Sequence, residues 1–193
     1  MADAQTTALF LAARDGNPRA REDLCKRWLP AVMRWCLRMG GPSVDAEDVA
    51  ADVFVTMLPR LEKLREPEAF EAWLYGITRR TLAAHRRRAW VRRWVPGIFS
   101  DPDDPEARPD RRAESRDTSR RVQQVLEELT DNQREVLVLC DVEGRTDEEV
   151  ARLLEIPVGT VKSRLRLARA GFRQGCARHA LVDPALLPSP GGK

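Results

Sequence analysis

Apolar residues recur along this chain at intervals of three and four almost throughout, and the strict alternation of a half-buried strand is nearly absent. The pattern predicts an all-α protein. A short first helix is expected over residues 7–15, closed by Gly16-Asn17-Pro18, then a longer one over 19–39 that Pro30 kinks or splits. Gly40-Gly41-Pro42 ends it. Asp45 is placed to cap the next helix, which runs to about residue 59 with Val49, Val53 and Met57 inward and Phe54 and Leu58 alongside. Pro67 stands where a first helical position should be. Phe70, Trp73, Leu74, Ile77, Thr81 and Ala84 then mark one buried stripe.

Between Pro96 and Pro109 the periodicity collapses into prolines and the run Asp101-Pro102-Asp103-Asp104, which has nothing to bury and reads as a linker. Its aspartates lack the glycine turn and terminal glutamate of a calcium loop, so solvated charge is the expectation. Helices resume near Thr118 and continue to about Leu129. Thr130 with Gln133, and Thr146 with Glu149, each form a capping box that opens a further helix. Two small helical domains are therefore expected, residues 5–95 and 116–176, joined by a flexible linker over 96–115 and followed by a disordered tail over 177–193.

Composition is that of a globular chain, 42% hydrophobic and 33% charged over 193 residues, and the net charge of +3 says little by itself. Its distribution says more. Residues 72–100 hold no acid and seven arginines, and residues 156–182 hold no acid but Lys162, Arg164, Arg166, Arg169, Arg173 and Arg178. Two separated basic tracts point to two contacts with a polyanion; solvated helix faces are the plainer alternative. The four cysteines show neither Cys-x-x-Cys pairing nor a histidine at ligand spacing, so ordinary thiols are expected, with no metal and no cofactor. No basic-then-apolar leader opens the chain and no apolar run approaches the roughly 18 residues of a membrane span. The expectation is a cytoplasmic protein with no membrane contact.

The most informative stretch is residues 146–173. A first helix over 147–154 would bury Val150, Leu153 and Leu154, with Ala151 small enough for a close crossing. Residues 155–158 turn the chain, and Pro157 helps to stop the helix. The second helix would bury Val161, Leu165, Ala168 and Phe172. That leaves Thr160, Ser163, Arg164 and Leu167 on one exposed stripe and Lys162, Arg166, Arg169 and Arg173 on another. Such a helix suits the major groove, where an arginine pairs bidentately with guanine while its neighbours hold phosphate. A basic amphipathic helix in a bundle is the alternative.

The run Leu129-Thr-Asp-Asn-Gln-Arg-Glu-Val-Leu-Val-Leu139, then Asp141-Val-Glu-Gly144, then Ile156-Pro-Val-Gly-Thr-Val-Lys-Ser-Arg-Leu165 resembles region 4 of the extracytoplasmic-function (ECF) sigma factors. The N-terminal half is similar to their region 2 in Asp45-Ala-Glu-Asp-Val49, Asp52-Val-Phe54 and Phe70-Glu-Ala-Trp-Leu-Tyr-Gly-Ile-Thr-Arg-Arg80. The resemblance covers about residues 5–175. It implies a protein that binds core RNA polymerase, directs it to promoters and helps to open the DNA. Carried over, Asp45, Asp48, Asp52 and Phe54 would dock on the clamp helices of the β′ subunit, and region 4 would meet the β flap. Thr160, Lys162, Ser163, Arg164 and Arg166 would contact the −35 element. Lys63, Arg65, Arg79, Arg80, Arg86 and Arg87 would contact the −10 element, with the loop over 61–69 receiving an unstacked base. A dedicated anti-sigma factor is also implied.

The chain departs from the family pattern at Glu155, where glycine is usual in the turn, at Ala51 for a common glutamine, and at Thr130 for a common proline. A left-handed Glu155 would cost on the order of 1 kcal/mol. No catalytic constellation accompanies these motifs. The two histidines, His85 and His179, have no nucleophile nearby, and His85 reads as a solvated or phosphate-facing side chain among arginines. A nuclease would need carboxylates converging on metal beside DNA, whereas both basic tracts lack acids. The remaining alternative is a stand-alone helix-turn-helix regulator, which need not bind core polymerase. Trp73 lies on the buried stripe; Trp90 and Trp94 are better placed for exposure.

Overall fold

A computed structural model describes residues 4–41, 43–94, 113–179 and 181. No strand occurs among its described residues, and the chain divides into two compact units, residues 1–88 with 152–155 and residues 89–151 with 156–193. The expected linker lies outside the described residues as far as 112, and so does the tail from 182 onward.

In the first unit, α1 (Ala4–Arg14) packs on α2 (Pro18–Met39), and α2 on α3 (Ala46–Met57). The chain reverses between α1 and α2 at Gly16, whose φ of 95° favours glycine. Asn17 then caps α2 by accepting from the Ala20 N–H, with Pro18 in the first turn. Helix α2 runs unbroken through Pro30. The missing N–H costs one helical bond at an exposed position, and the packed residues either side, Leu24, Val32 and Trp35, hold the helix together.

After α3 come two 3₁₀ turns, Leu58–Lys63 and Pro67–Ala69, and then α4 (Phe70–Trp94). Pro67 thus opens a 3₁₀ turn that leads into α4. Aromatic rings link the helices across the core: Phe70 meets Phe10 and Trp28 at 5.3 Å between ring centroids, and Trp35 meets Tyr75 edge-on at 4.9 Å. The buried face of α4 differs from the expected stripe. Tyr75, Thr78 and Leu82 are buried with Phe70, Leu74 and Ile77, while Trp73, Thr81 and Ala84 are only half-buried. Tyr75 turns inward because Trp35 covers its ring and Met39 sulfur accepts from its hydroxyl at 3.4 Å. Thr78 is tolerated because its hydroxyl donates to the Leu74 carbonyl at 3.0 Å.

The C-terminal half of the chain forms α5 (Ala113–Glu128), α6 (Asp131–Leu137), a π-helical turn (Val138–Val142), α7 (Asp147–Leu154) and α8 (Val158–Arg178), all in the second unit except residues 152–154 of α7. Helix α5 begins ahead of the expected Thr118. Both capping boxes form: Thr130 and Gln133 exchange bonds at 3.1 and 3.4 Å, and Thr146 and Glu149 at 2.9 and 3.2 Å.

Helix α8 packs against α6 and α5. Its approach to α5 is close. A Cβ at Gly171 would lie 2.8 Å from Leu129 Cδ2, and one at Gly175 would lie 2.5 Å from Val125 Cγ1. Arg134, 3% exposed, turns its guanidinium to the end of α5, donating to the carbonyls of Leu126 at 2.6 Å, Leu129 at 3.1 Å and Glu127 at 3.3 Å. It thereby satisfies carbonyls that a helix end leaves without partners. At the far end of α8, Arg178 and His179 both bond Glu128, His179 at 2.7 Å. Helix α8 itself runs to Arg178.

Candidate nucleic-acid interface

Helix α7 ends at Leu154, and Glu155 just after it, with a φ of 55°, is the one non-glycine residue with positive φ among those described. The left-handed conformation costs about 1–2 kcal/mol for a residue with a side chain, and it lets the Ile156 N–H turn back to the Ala151 carbonyl at 3.0 Å. Pro157 then takes the N-cap position of α8, its carbonyl accepting from Thr160 at 2.9 Å and Val161 at 3.2 Å. No side chain caps the helix and no acid lies in its first turn, so its positive end is left for an anion. Val150 and Ala151 on α7, and Val161, Leu165 and Ala168 on α8, are buried as the helix-turn-helix pattern requires. Phe172 is only half-buried; Gly175 and Cys176 continue the inner face instead, because glycine lets α5 come too near for a ring.

On the outer face, Lys162, Ser163 and Arg166 are exposed and Thr160 and Arg164 half-buried. The Ser163 hydroxyl donates to the Thr160 carbonyl at 3.0 Å, back along its own helix. Arg169 is not part of a free basic stripe. It pairs bidentately with Asp141, at 2.9 Å from Nε and 2.6 Å from a terminal nitrogen, and that carboxylate raises its pKa further.

In the first unit Lys63 and Arg65 are exposed on the segment around the two 3₁₀ turns, anchored by buried Leu61. Arg79, Arg80 and Arg87 are exposed on α4 and Arg86 is half-buried. The side chains of Trp90 and Trp94 lie outside the described residues.

Asp45 is the N-cap of α3: its Oδ1 accepts from Glu47 at 2.8 Å and Asp48 at 3.1 Å. Asp48 and Asp52 are exposed one turn apart. Phe54 is half-buried, and the exposed apolar residue on this helix is Val55, 71% accessible, which follows Asp48 and Asp52 at helical spacing. Its signal was available, since Val55 is out of step with the Val49-Val53-Met57 stripe.

His85 is not a solvated side chain among arginines. It reaches from α4 to α3, its Nε2 2.8 Å from Oδ2 of Asp52, and it is mostly buried where Asp52 is mostly exposed. A carboxylate only accepts, so this ring nitrogen carries the proton.

The four thiols are free, and burial raises the pKa of each, to about 12 at Cys36 and about 11 at Cys140. Among the described residues no group of three or more His, Cys, Asp or Glu side chains could hold a metal ion, and no helix is long and apolar enough to cross a membrane.

The family description Sigma-70 region 2 matches residues 24–92, and Sigma-70, region 4 matches residues 119–170. The RNA polymerase sigma-H factor of Pseudomonas aeruginosa is 30% identical over 95% of this chain and 95% of its own. The ECF RNA polymerase sigma factor SigD of Mycobacterium bovis is 31% identical over 80% of this chain and 76% of its own. The solved structure of Cupriavidus metallidurans CnrH, in complex with the cytosolic domain of CnrY, superposes with a TM-score of 0.64 at 28% identity, covering 87% of this chain and 94% of that one. With both regions matched in order and these relatives aligned over 95% and 80% of the chain, the chain belongs to the ECF sigma factors, and its function is promoter-specific initiation of transcription with RNA polymerase.

Proposed function

We propose that this chain divides the work of initiation among three surfaces. The N-terminal part of α8 reads the −35 element through Thr160, Lys162, Ser163, Arg164 and Arg166. The segment with Lys63 and Arg65, together with Arg79, Arg80, Arg86 and Arg87 of α4, holds the −10 element and its displaced strand. The α3 face with Asp48, Asp52 and Phe54 docks on the β′ clamp helices, Asp45 setting the start of that helix, and region 4 meets the β flap. The observation that carries the reading is the α8 N-terminus: uncapped, acid-free and basic, it follows a tight left-handed turn. Phosphate contacts fix register there, and base edges supply sequence. Val55, exposed three residues after Asp52 on the same helix, adds an apolar residue to that ridge.

The protein has no catalysis of its own on this reading and works in the cytoplasm, where core polymerase is. A dedicated anti-sigma factor belongs to the same reading, supported by the solved complex of CnrH with CnrY.

The test is a pair of substitutions on α8, measured by DNA binding across salt concentrations. Arg164→Ala should relax preference at one −35 position and cost about 1–3 kcal/mol on the preferred sequence. Lys162→Ala should weaken all sequences alike and make the salt slope shallower by about 0.9. Equal, sequence-independent losses from both would remove the division between base reading and phosphate contact.

A further inference from the structure

We infer that His85 is a positioning residue for core polymerase binding, holding the Asp52 carboxylate of α3 from its seat in α4. The inference rests on the docking role proposed for Asp52.

Its physical basis is an asymmetry in one hydrogen bond. His85 is 17% exposed and Asp52 54%. The imidazole is packed and has little rotamer freedom to lose, whereas an exposed aspartate on a helix samples several rotamers. The bond at 2.8 Å therefore transfers the rigidity of the core to a carboxylate that faces solvent. The donor uses one of the two carboxylate oxygens of a side chain that is 54% exposed, leaving Oδ1 and the remaining capacity of Oδ2 to accept from an incoming cationic group. Ordering a side chain before it docks removes an entropic penalty that association otherwise carries.

The bond also joins the two functional helices. Asp52 lies on the acidic face of α3, and His85 sits in α4 immediately before Arg86 and Arg87. A shift of α4 along its axis moves the donor that fixes Asp52. The α3 polymerase face and the α4 DNA face are thus linked through one named contact.

The experiment measures equilibrium binding of the full chain to immobilised core RNA polymerase, with helical content of every variant checked by circular dichroism. His85→Ala is expected to weaken binding about three- to tenfold, the range for freeing one side chain. His85→Gln, whose amide nitrogen can reach the place of Nε2, should bind within about twofold of the parent, and the shorter His85→Asn should resemble alanine. In an Asp52→Ala background, His85→Ala should add nothing, because the residue acts through that carboxylate.

Equal affinities of the glutamine and asparagine variants, or a full additional loss in the Asp52→Ala background, would overturn the inference. If His85→Ala does not fold, the glutamine–asparagine comparison still decides it. Normal binding by Asp52→Ala would instead overturn the docking role itself; weakened binding by Asp52→Ala with all His85 variants at parental affinity would overturn the positioning role alone.

Discussion

The contact between α5 and α8 is tight enough that one methyl group should break it. A Cβ on Gly175 would come 2.5 Å from Val125 Cγ1 and 3.3 Å from a Glu128 oxygen. Val125 is fully buried, and a β-branched side chain in a helix has one strongly preferred χ1, so it cannot rotate clear. Glycine to alanine in a helix interior gains about 1 kcal/mol from backbone propensity. Overpacking a filled interface costs about 1–3 kcal/mol, so Gly175→Ala should destabilise the second unit by about 1 kcal/mol net. Gly159→Ala is the internal control: the same helix, with nothing within 4 Å of the added carbon, so it should be neutral or mildly stabilising. Thermal unfolding followed by circular dichroism reads both, at roughly 4–8 °C per kcal/mol for a domain of this size. Combining Gly175→Ala with Val125→Ala should recover part of the loss, a coupling that additive effects would not show. If Gly175→Ala melts as high as Gly159→Ala, the close approach of α5 and α8 is wrong.

Arg134→Ala should destabilise the same unit by about 2–4 kcal/mol, because it strips buried carbonyls at the end of α5 of their donor. Arg134→Lys should recover little, since a point-like ammonium cannot span three carbonyls; urea unfolding checks both. Glu155→Gly relieves a left-handed strain of about 1–2 kcal/mol but adds freedom to the unfolded chain, so a gain of up to about 1 kcal/mol is expected in the same assay. Glu128 is held below the usual carboxylate range by its bonds to His179 and Arg178. A depressed carboxylate contributes stability above its unfolded value and loses it as pH falls through the folded one, so Glu128→Gln should flatten the acid side of the melting profile. An unchanged acid limb would remove that contact's role.

What the residue pattern foretold and what it did not divide by the reach of the interaction. The Asp45 cap and the Thr130–Gln133 and Thr146–Glu149 boxes are settled within four residues of chain, and each stands where the spacing put it, whereas the left-handed Glu155 was marked only by the glycine usual there in the family. The periodicity of α8 gave Val161, Leu165 and Ala168 correctly and failed at Phe172, where the partner across the interface takes over. Tyr75 was missed for the same reason: its inward ring is explained by Trp35 and Met39, which lie on α2 and far back in the chain. Arg134 resembled any polar residue of an amphipathic helix, and nothing local marks it as the donor to α5. Gly171 and Gly175 did carry a signal, two glycines one turn apart in a helix that tolerates them poorly. At the candidate sites, residue types were legible but exposure only in part, since Thr160 and Arg164 are half-buried, and the bonds His85–Asp52 and Arg169–Asp141 join residues far apart in sequence and needed the fold.

Run-off transcription by core polymerase over a library of randomised promoters, with the parent chain, Arg164→Ala and Asp52→Lys, bears most directly on the three-surface account. The parent should select two sequence elements at one preferred separation. Arg164→Ala should lose information at one position of the upstream element and leave the downstream element intact. Asp52→Lys, folded by circular dichroism, should yield no promoter-specific transcript, since charge reversal at a complementary interface costs several kcal/mol. An unaltered upstream element with Arg164→Ala, or normal transcription with Asp52→Lys, would contradict the account.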